Sequence, residues 1–63
     1  MDKNMKNILI VDDEKAIRNT LKEVLVFENY SVDGAESGFA GLDLLDQKKY
    51  DLVFCDIKMP KMD

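Results

Sequence analysis

Acidic residues follow two short apolar runs in this chain, and these residues are the ones that could do chemistry. Asp12 and Asp13 come directly after the apolar run 8–11, and Asp56 comes directly after the apolar run 52–55. A single aspartate after a strand most often forms a turn or caps a helix. Two acid-terminated runs in one chain favour a shared functional site instead.

The elements that must position these acids alternate between strand and helix. In chain order, the sequence predicts a strand at 8–11, a helix at 14–29, a strand at 30–35, a helix that begins after an N-cap at Ser37, and a strand at 52–55. The order β-α-β-α-β, with crossovers long enough for parallel pairing, predicts an α/β fold. Polar residues and a glycine in the second strand favour an edge position for it.

The first predicted helix is amphipathic, with apolar residues at three- and four-residue spacing. Its opposite, polar face carries Lys15, Arg18, Lys22 and Glu23. In the second predicted helix, Gly41 should cost up to about 1 kcal/mol relative to alanine, unless close packing requires its small size. We expect this glycine to be tolerated and to have no functional role.

Composition argues against several classes of function. The net charge is −4, and nine Lys and Arg are scattered among thirteen Asp and Glu, which argues against direct contact with nucleic acid. The polar start is unlike a signal peptide, and no segment approaches the roughly 20 apolar residues that span a membrane. Cys55 is the only cysteine, so no internal disulfide is possible. Its apolar neighbours predict a buried, reduced thiol in a cytoplasmic protein.

Parallel pairing would bring the acids together, because the carboxyl ends of parallel strands meet at one edge of the sheet. Asp12, Asp13 and Asp56 should therefore converge there. Carboxylates held close repel one another, and a hard divalent cation such as Mg²⁺ relieves this repulsion. A backbone carbonyl from the loop after Asp56 could complete the ligand set. Such a cation also offsets the charge of incoming phosphoryl oxygens, so a carboxylate could attack phosphorus and form an aspartyl phosphate.

Two segments carry a resemblance to a known family: ILIVDDE at 8–14 and DLVFCDIKMP at 51–60. Together they closely resemble the receiver domain of bacterial two-component response regulators, and the resemblance covers essentially the whole chain. It implies a flavodoxin-like fold, of which this chain would hold three parallel strands in the order 2-1-3. It also implies a part in phosphorelay signal transduction.

The resemblance implies a role for each matching residue. Asp56 matches the phosphoacceptor, Asp13 matches the acid that binds Mg²⁺ directly, and Asp12 matches its neighbour, which acts through water. Lys58 falls where the family supplies a backbone carbonyl to the metal. Such a domain accepts its phosphoryl group from a sensor histidine kinase and commonly controls transcription. It catalyses its own phosphorylation but is not an enzyme in the usual sense.

The chain stops before the family's fourth and fifth strands, which carry a Ser or Thr and a Lys that bind the phosphoryl oxygens. We therefore expect residues 1–63 to be the N-terminal half of a receiver domain and to be inactive alone. The third strand would form an exposed apolar edge, which is a template for association. We expect a homodimer in which this strand pairs with its copy in antiparallel fashion.

Two other functions are alternatives to this one. An apolar run followed by Asp12, Asp13 and Glu14 also resembles the Mg²⁺-binding strand of a P-loop ATPase. That fold needs a glycine-rich phosphate loop ending in Lys-Ser/Thr, and the sequence contains none. The chain could instead be a non-catalytic interaction or dimerisation module that has lost phosphotransfer. Retention of all three acids favours a working phosphoreceiver.

Overall fold

Three strands and two helices alternate within the part of the chain that the structure describes. The computed structural model describes residues 5–56. The elements are β1 (Asn7–Asp12), α1 (Lys15–Phe27), β2 (Ser31–Ala35), α2 (Gly38–Gln47) and β3 (Leu52–Asp56). All strand pairs are parallel, in the order β2-β1-β3, which confirms the predicted half of a flavodoxin-like α/β fold and the edge position of β2. Neither helix within residues 5–56 is long and apolar enough to cross a membrane.

The central strand, β1, is buried on both faces because α1 covers one face and α2 the other. The cluster on the α1 face contains Ile8, Ile10 and Val32, with Leu21, Leu25 and Tyr30 packed against it. The cluster on the α2 face contains Leu9, Val11 and Ala35, with Ala40, Leu44 and Tyr50 packed against it. This alternation along β1 explains why its sequence is a continuous apolar run.

Helix α1 ends two residues earlier than the sequence predicts. Asn29 has a positive φ of 72°, a left-handed conformation that stops the helix. The backbone N–H of Tyr30 donates to the carbonyl of Leu25 at 3.0 Å, and that of Asn29 donates to the carbonyl of Val26 at 2.9 Å. These two bonds form a Schellman cap and direct the chain from α1 into β2.

Helix α2 begins as predicted and lies very close to β1. The hydroxyl of Ser37 caps the helix by accepting a hydrogen bond from the backbone N–H of Ala40 at 3.1 Å. Gly41 is buried, and a Cβ added there would lie 2.9 Å from Cγ2 of Val11. The small size of Gly41 therefore permits the close packing of α2. The sequence had suggested only that this glycine is tolerated, whereas the structure gives it a packing role.

Strand β3 is exposed along its whole length. No Cα atom of either helix lies within 8 Å of a Cα atom of β3, and its only strand partner within residues 5–56 is β1. Leu52, Val53 and Phe54 are 56%, 41% and 46% exposed. Cys55 is exposed too, so the expected burial of its thiol is wrong. The apolar sequence of β3 resembles that of β1, but both crossover helices pack over β1 and β2.

Candidate functional site

The carboxylate of Asp12 is buried at the carboxyl edge of the sheet, where β1 ends. The residue is 1% exposed. Its Oδ1 accepts a hydrogen bond from the backbone N–H of Glu14 at 2.9 Å, which forms the tight turn between β1 and α1. Its Oδ2 is buried and has no hydrogen-bond partner among residues 5–56. A buried carboxylate oxygen without a donor is costly, so this oxygen fits a site completed by a cation.

An arginine holds the backbone of the same turn. Nη1 of Arg18, in the first turn of α1, donates to the carbonyl oxygen of Asp12 at 2.7 Å. The aliphatic part of this side chain passes over Gly34 of β2. The assignment of Arg18 to the polar, outward face of α1 is therefore wrong, since the side chain reaches back to β1. Sequence spacing does not distinguish this arginine from the neighbouring lysines.

Asp56 lies next to Asp12 in the sheet. It is the last residue of β3 and the register partner of Asp12. Neighbouring strands are about 4.8 Å apart, and register partners in parallel strands project to the same face. Asp56 is exposed, unlike Asp12, and Asp13 is exposed just beyond the end of β1. The fold thus brings the ends of β1 and β3, with their acids, to one edge.

Three of the four residues predicted to hold Mg²⁺, namely Asp12, Asp13 and Asp56, lie within residues 5–56. Within residues 5–56, no group of three or more Asp, Glu, His or Cys side chains is arranged to hold a metal ion. Lys58, whose backbone carbonyl belongs to the predicted set, lies outside the described residues. The oxygens present are of the kind that a hard divalent cation prefers, because Asp12 offers an unpartnered carboxylate oxygen and Asp56 lies beside it in the sheet. The metal-binding roles stay predictions.

A second polar cluster, which sequence reasoning missed, lies on the α2 side of the sheet. The hydroxyl of Tyr50 donates to Oδ2 of Asp33 at 2.6 Å, and Nζ of Lys48 contacts the same oxygen at 3.0 Å. The hydrogen bond from Tyr50, and then that from Lys48, lowers the pKa of Asp33. Burial, and then the bond to Asp33, raises the pKa of Tyr50 to about 12. The cluster joins β2 to the segment between α2 and β3.

Comparison with known proteins identifies the family. The chain belongs to the response regulator receiver domain family, whose sequence profile matches residues 8–63. Response regulator MprA from Mycobacterium sp. (strain KMS) is 43% identical over 56 residues, which are 89% of this chain and 24% of that protein. MprA from Mycobacterium tuberculosis (strain ATCC 25177 / H37Ra) is 39% identical over 56 residues, again 89% of this chain and 24% of that protein.

The family assigns this chain to two-component phosphorelay signalling. The fold agrees, because it is the β-α-β-α-β half of a receiver. The chain spans about a quarter of the length of the curated relatives that it matches. For MprA from Mycolicibacterium vanbaalenii, the matched residues are likewise 24% of the relative. The relatives therefore contain a large part that has no counterpart in these 63 residues.

Proposed function

We propose that this chain acts as the N-terminal half of a receiver domain in which Asp56 accepts a phosphoryl group from a sensor histidine kinase. Asp12, Asp13, Asp56 and the backbone carbonyl of Lys58 would hold Mg²⁺. In the intact protein, phosphorylation would control an output such as transcription. One observation carries the proposal. Asp12, whose buried Oδ2 has no partner among residues 5–56, is the register partner of the exposed Asp56.

The different surroundings of the two acids support different roles. Asp56 is exposed at the end of β3, so a phosphodonor can approach its carboxylate. Asp12 is buried, and one of its oxygens is already bonded to the Glu14 N–H, which suits it to holding a cation rather than to attacking phosphorus. Mg²⁺, when bound, would offset the negative charge of the phosphoryl oxygens.

The proposed transfer moves one phosphoryl group between two proteins. A carboxylate oxygen of Asp56 forms the new O–P bond as the P–N bond of the kinase phosphohistidine breaks. The electron pair of that bond stays on the imidazole nitrogen, which takes up a proton. The product is an acyl phosphate on Asp56. Receiver domains are not an enzyme family in the usual sense, and this single transfer agrees with that.

Intact-mass measurement with a small phosphodonor tests the proposal. The intact receiver protein that carries this chain is incubated with Mg²⁺ and acetyl phosphate, beside Asp56→Asn and Asp43→Asn variants. Asp43 is an exposed acid of α2 and serves as the matched control. We expect one added phosphoryl group in the native protein and in Asp43→Asn, and none in Asp56→Asn. An adduct of equal yield in Asp56→Asn would contradict the proposal.

The exposure of β3 supports a second property of the 63-residue chain taken alone. We propose that it self-associates as a two-fold dimer in which β3 pairs with its copy in antiparallel fashion. All five residues of β3 are exposed. An apolar groove between α1 and β3, lined in part by Leu21, Leu25 and Phe54, adds to the uncovered surface. Unpaired backbone beside exposed apolar surface favours association.

We place this chemistry in the cytoplasm. Cys55 is exposed and is the only cysteine of the chain. An exposed thiol with no internal partner suits a reducing compartment, where it would not form intermolecular disulfides.

A further inference from the structure

The guanidinium of Arg18 has no role in the function proposed above, although it contacts the turn that carries the acids. We propose that Arg18 is a positioning residue, which holds the β1–α1 turn so that Asp12 and Asp13 face a divalent cation. Gly34 gives the arginine side chain the room to do this. The inference rests on the proposed function, because it describes how the acidic edge is held in place.

Three hydrogen bonds connect the end of β1 to the start of α1. Nη1 of Arg18 donates to the carbonyl oxygen of Asp12 at 2.7 Å. The backbone N–H of Arg18 donates to the carbonyl of Glu14 at 2.9 Å, and the backbone N–H of Glu14 donates to Oδ1 of Asp12 at 2.9 Å. The three bonds form a closed loop that fixes both the backbone and the carboxylate of Asp12.

Arg18 fixes this turn without blocking the oxygen that a metal would use. Its Nη1 bonds the main-chain carbonyl of Asp12, whereas Oδ2 of the same residue has no partner among residues 5–56. An ion pair with that oxygen would compete with a metal for it. A charge-assisted bond to a carbonyl is strong and directional, so it holds geometry while the carboxylate oxygen stays open.

The absence of a side chain at Gly34 allows Arg18 to reach Asp12. A Cβ added at Gly34 would lie 3.2 Å from Cδ and 3.3 Å from Cγ of Arg18, which is closer than such atoms usually approach. The φ of Gly34 is not positive, so an alanine meets no backbone strain there. The role of this glycine is therefore to make space for the arginine.

A positioning role and a purely electrostatic role predict opposite changes in metal affinity. Removing a positive charge beside a cation site lowers repulsion and should tighten Mg²⁺ binding. Removing a group that orients a metal ligand should weaken Mg²⁺ binding, since loss of such outer contacts typically costs about ten-fold or more in metal affinity. The sign of the change in an Arg18 variant therefore decides between the two roles.

The test compares Arg18→Met with Lys22→Met in calorimetric titrations with Mg²⁺, on protein shown to be folded by circular dichroism. Methionine keeps the aliphatic stem over Gly34 but removes the donors. Lys22, one turn further along α1, is exposed and controls for the lost charge. We expect Arg18→Met to bind Mg²⁺ about ten-fold more weakly, and Lys22→Met to show no weakening. Unchanged or tighter binding by Arg18→Met overturns the inference.

Gly34→Ala supplies a second variant that leaves the arginine in place. We expect it to weaken Mg²⁺ binding in the native background but to add nothing in an Arg18→Ala background, where the crowded stem is gone. Equal weakening in both backgrounds would contradict the space-making role of Gly34.

A metal-free measurement separates this inference from the proposed function. Hydrogen exchange of the Glu14 amide reports the bond to Asp12 Oδ1 directly, and we expect faster exchange in Arg18→Met than in Lys22→Met. If the intact receiver protein that carries this chain binds no Mg²⁺, the proposed function fails, and exchange alone decides the role of Arg18. Faster exchange then supports the positioning role, and equal exchange overturns it.

Discussion

At the scale of single residues, the two carboxylate oxygens of Asp12 have different surroundings. Oδ1 accepts the Glu14 N–H and shapes a turn, whereas Oδ2 is buried and lacks a partner among residues 5–56. The sequence presented turn formation and metal binding as competing explanations of an aspartate after a strand. In the structure Oδ1 forms the turn while Oδ2 stays unpartnered, so turn formation leaves an oxygen available for the proposed metal binding.

Asp12→Asn should separate metal binding from stability. Asparagine keeps an oxygen acceptor for the Glu14 N–H but removes a buried charge beside Asp56, so the metal-free Tm should rise. The free energy of unfolding of the native chain should rise by about 2.7 kcal/mol when Mg²⁺ is present at a hundred times its Kd. We expect calorimetric melting curves to show this gain in the native chain and not in Asp12→Asn.

Asp46→Asn, at an exposed acid of α2, is the matched control for this substitution and should keep the full Mg²⁺ effect. An Asp12→Asn variant whose Tm still rises with Mg²⁺ as in the native chain would show that Asp12 does not bind the cation.

The adjacency of Asp12 and Asp56 could be predicted from the sequence, while the contact of Arg18 could not. Residues that end neighbouring parallel strands must meet, because topology alone places them. The direction of a long side chain in the first turn of a helix depends on what lies beneath it. Here that is Gly34, a residue distant in sequence, and helical spacing carries no information about it.

At the scale of elements, the position of α2 depends on the contact between Gly41 and Val11. Propensity scales favour alanine over glycine inside a helix, by about 1 kcal/mol. A Cβ at Gly41 would lie only 2.9 Å from Cγ2 of Val11, which is shorter than van der Waals contact. Overpacking of a tight core typically costs about 1–3 kcal/mol, so packing should outweigh propensity here.

Gly41→Ala should therefore lower the free energy of unfolding, by about 1 kcal/mol after the gain in helix propensity. In a Val11→Ala background the steric contact is removed, and the same substitution should become neutral or stabilising. Urea denaturation of the two single variants and the double variant measures this coupling. A Gly41→Ala variant more stable than the native chain would show that α2 can move away without cost.

The cluster of Asp33, Tyr50 and Lys48 links β2 to the segment before β3 and should make stability depend on pH. The pKa of Asp33 in the folded chain lies below its ordinary value of 3.8, mainly because of the bond from Tyr50. Because the pKa is lowered, ionised Asp33 stabilises the fold fully above the ordinary value of 3.8. This stabilisation is lost as the pH falls through the lower pKa of the folded chain.

Tyr50→Phe should accordingly destabilise the chain more at pH 7 than at pH 3, because the ionised Asp33 loses its strongest partner. Urea denaturation at both pH values gives the two differences, and Tyr30→Phe serves as a tyrosine control on the opposite face of the sheet. Equal destabilisation by Tyr50→Phe at both pH values would mean that the bond does not favour the ionised carboxylate.

At the scale of the whole molecule, the sequence predicted the topology correctly but not the burial of β3. Strand and helix periods, chain order and crossover length predicted a parallel α/β unit, and the resemblance to receiver domains implied the strand order 2-1-3, which the sheet has. Burial of a strand depends on which elements pack over it. An apolar run shows only that the strand is compatible with burial. Cys55 was expected to be buried for this reason, and it is exposed because both helices pack on the other two strands.

Val53→Lys should reduce self-association of the 63-residue chain, because a charge on an edge strand opposes pairing with another strand. Val26→Lys is the matched control, since Val53 and Val26 are 41% and 49% exposed and Val26 lies on α1. We expect light scattering to show a dimer for the native chain and for Val26→Lys, and a monomer for Val53→Lys. A monomeric native chain at high concentration would contradict the proposed dimer.

Asp56, and not one of the acids beside it, is the proposed carrier of the phosphoryl group. Borohydride reduces an acyl phosphate to an alcohol, which converts a phosphorylated aspartate to homoserine and marks its position for peptide mass spectrometry. After treatment of the intact receiver protein with Mg²⁺ and a phosphodonor, we predict homoserine at position 56 alone. Homoserine at position 12 or 13, with position 56 unchanged, would show that Asp56 is not the phosphoacceptor.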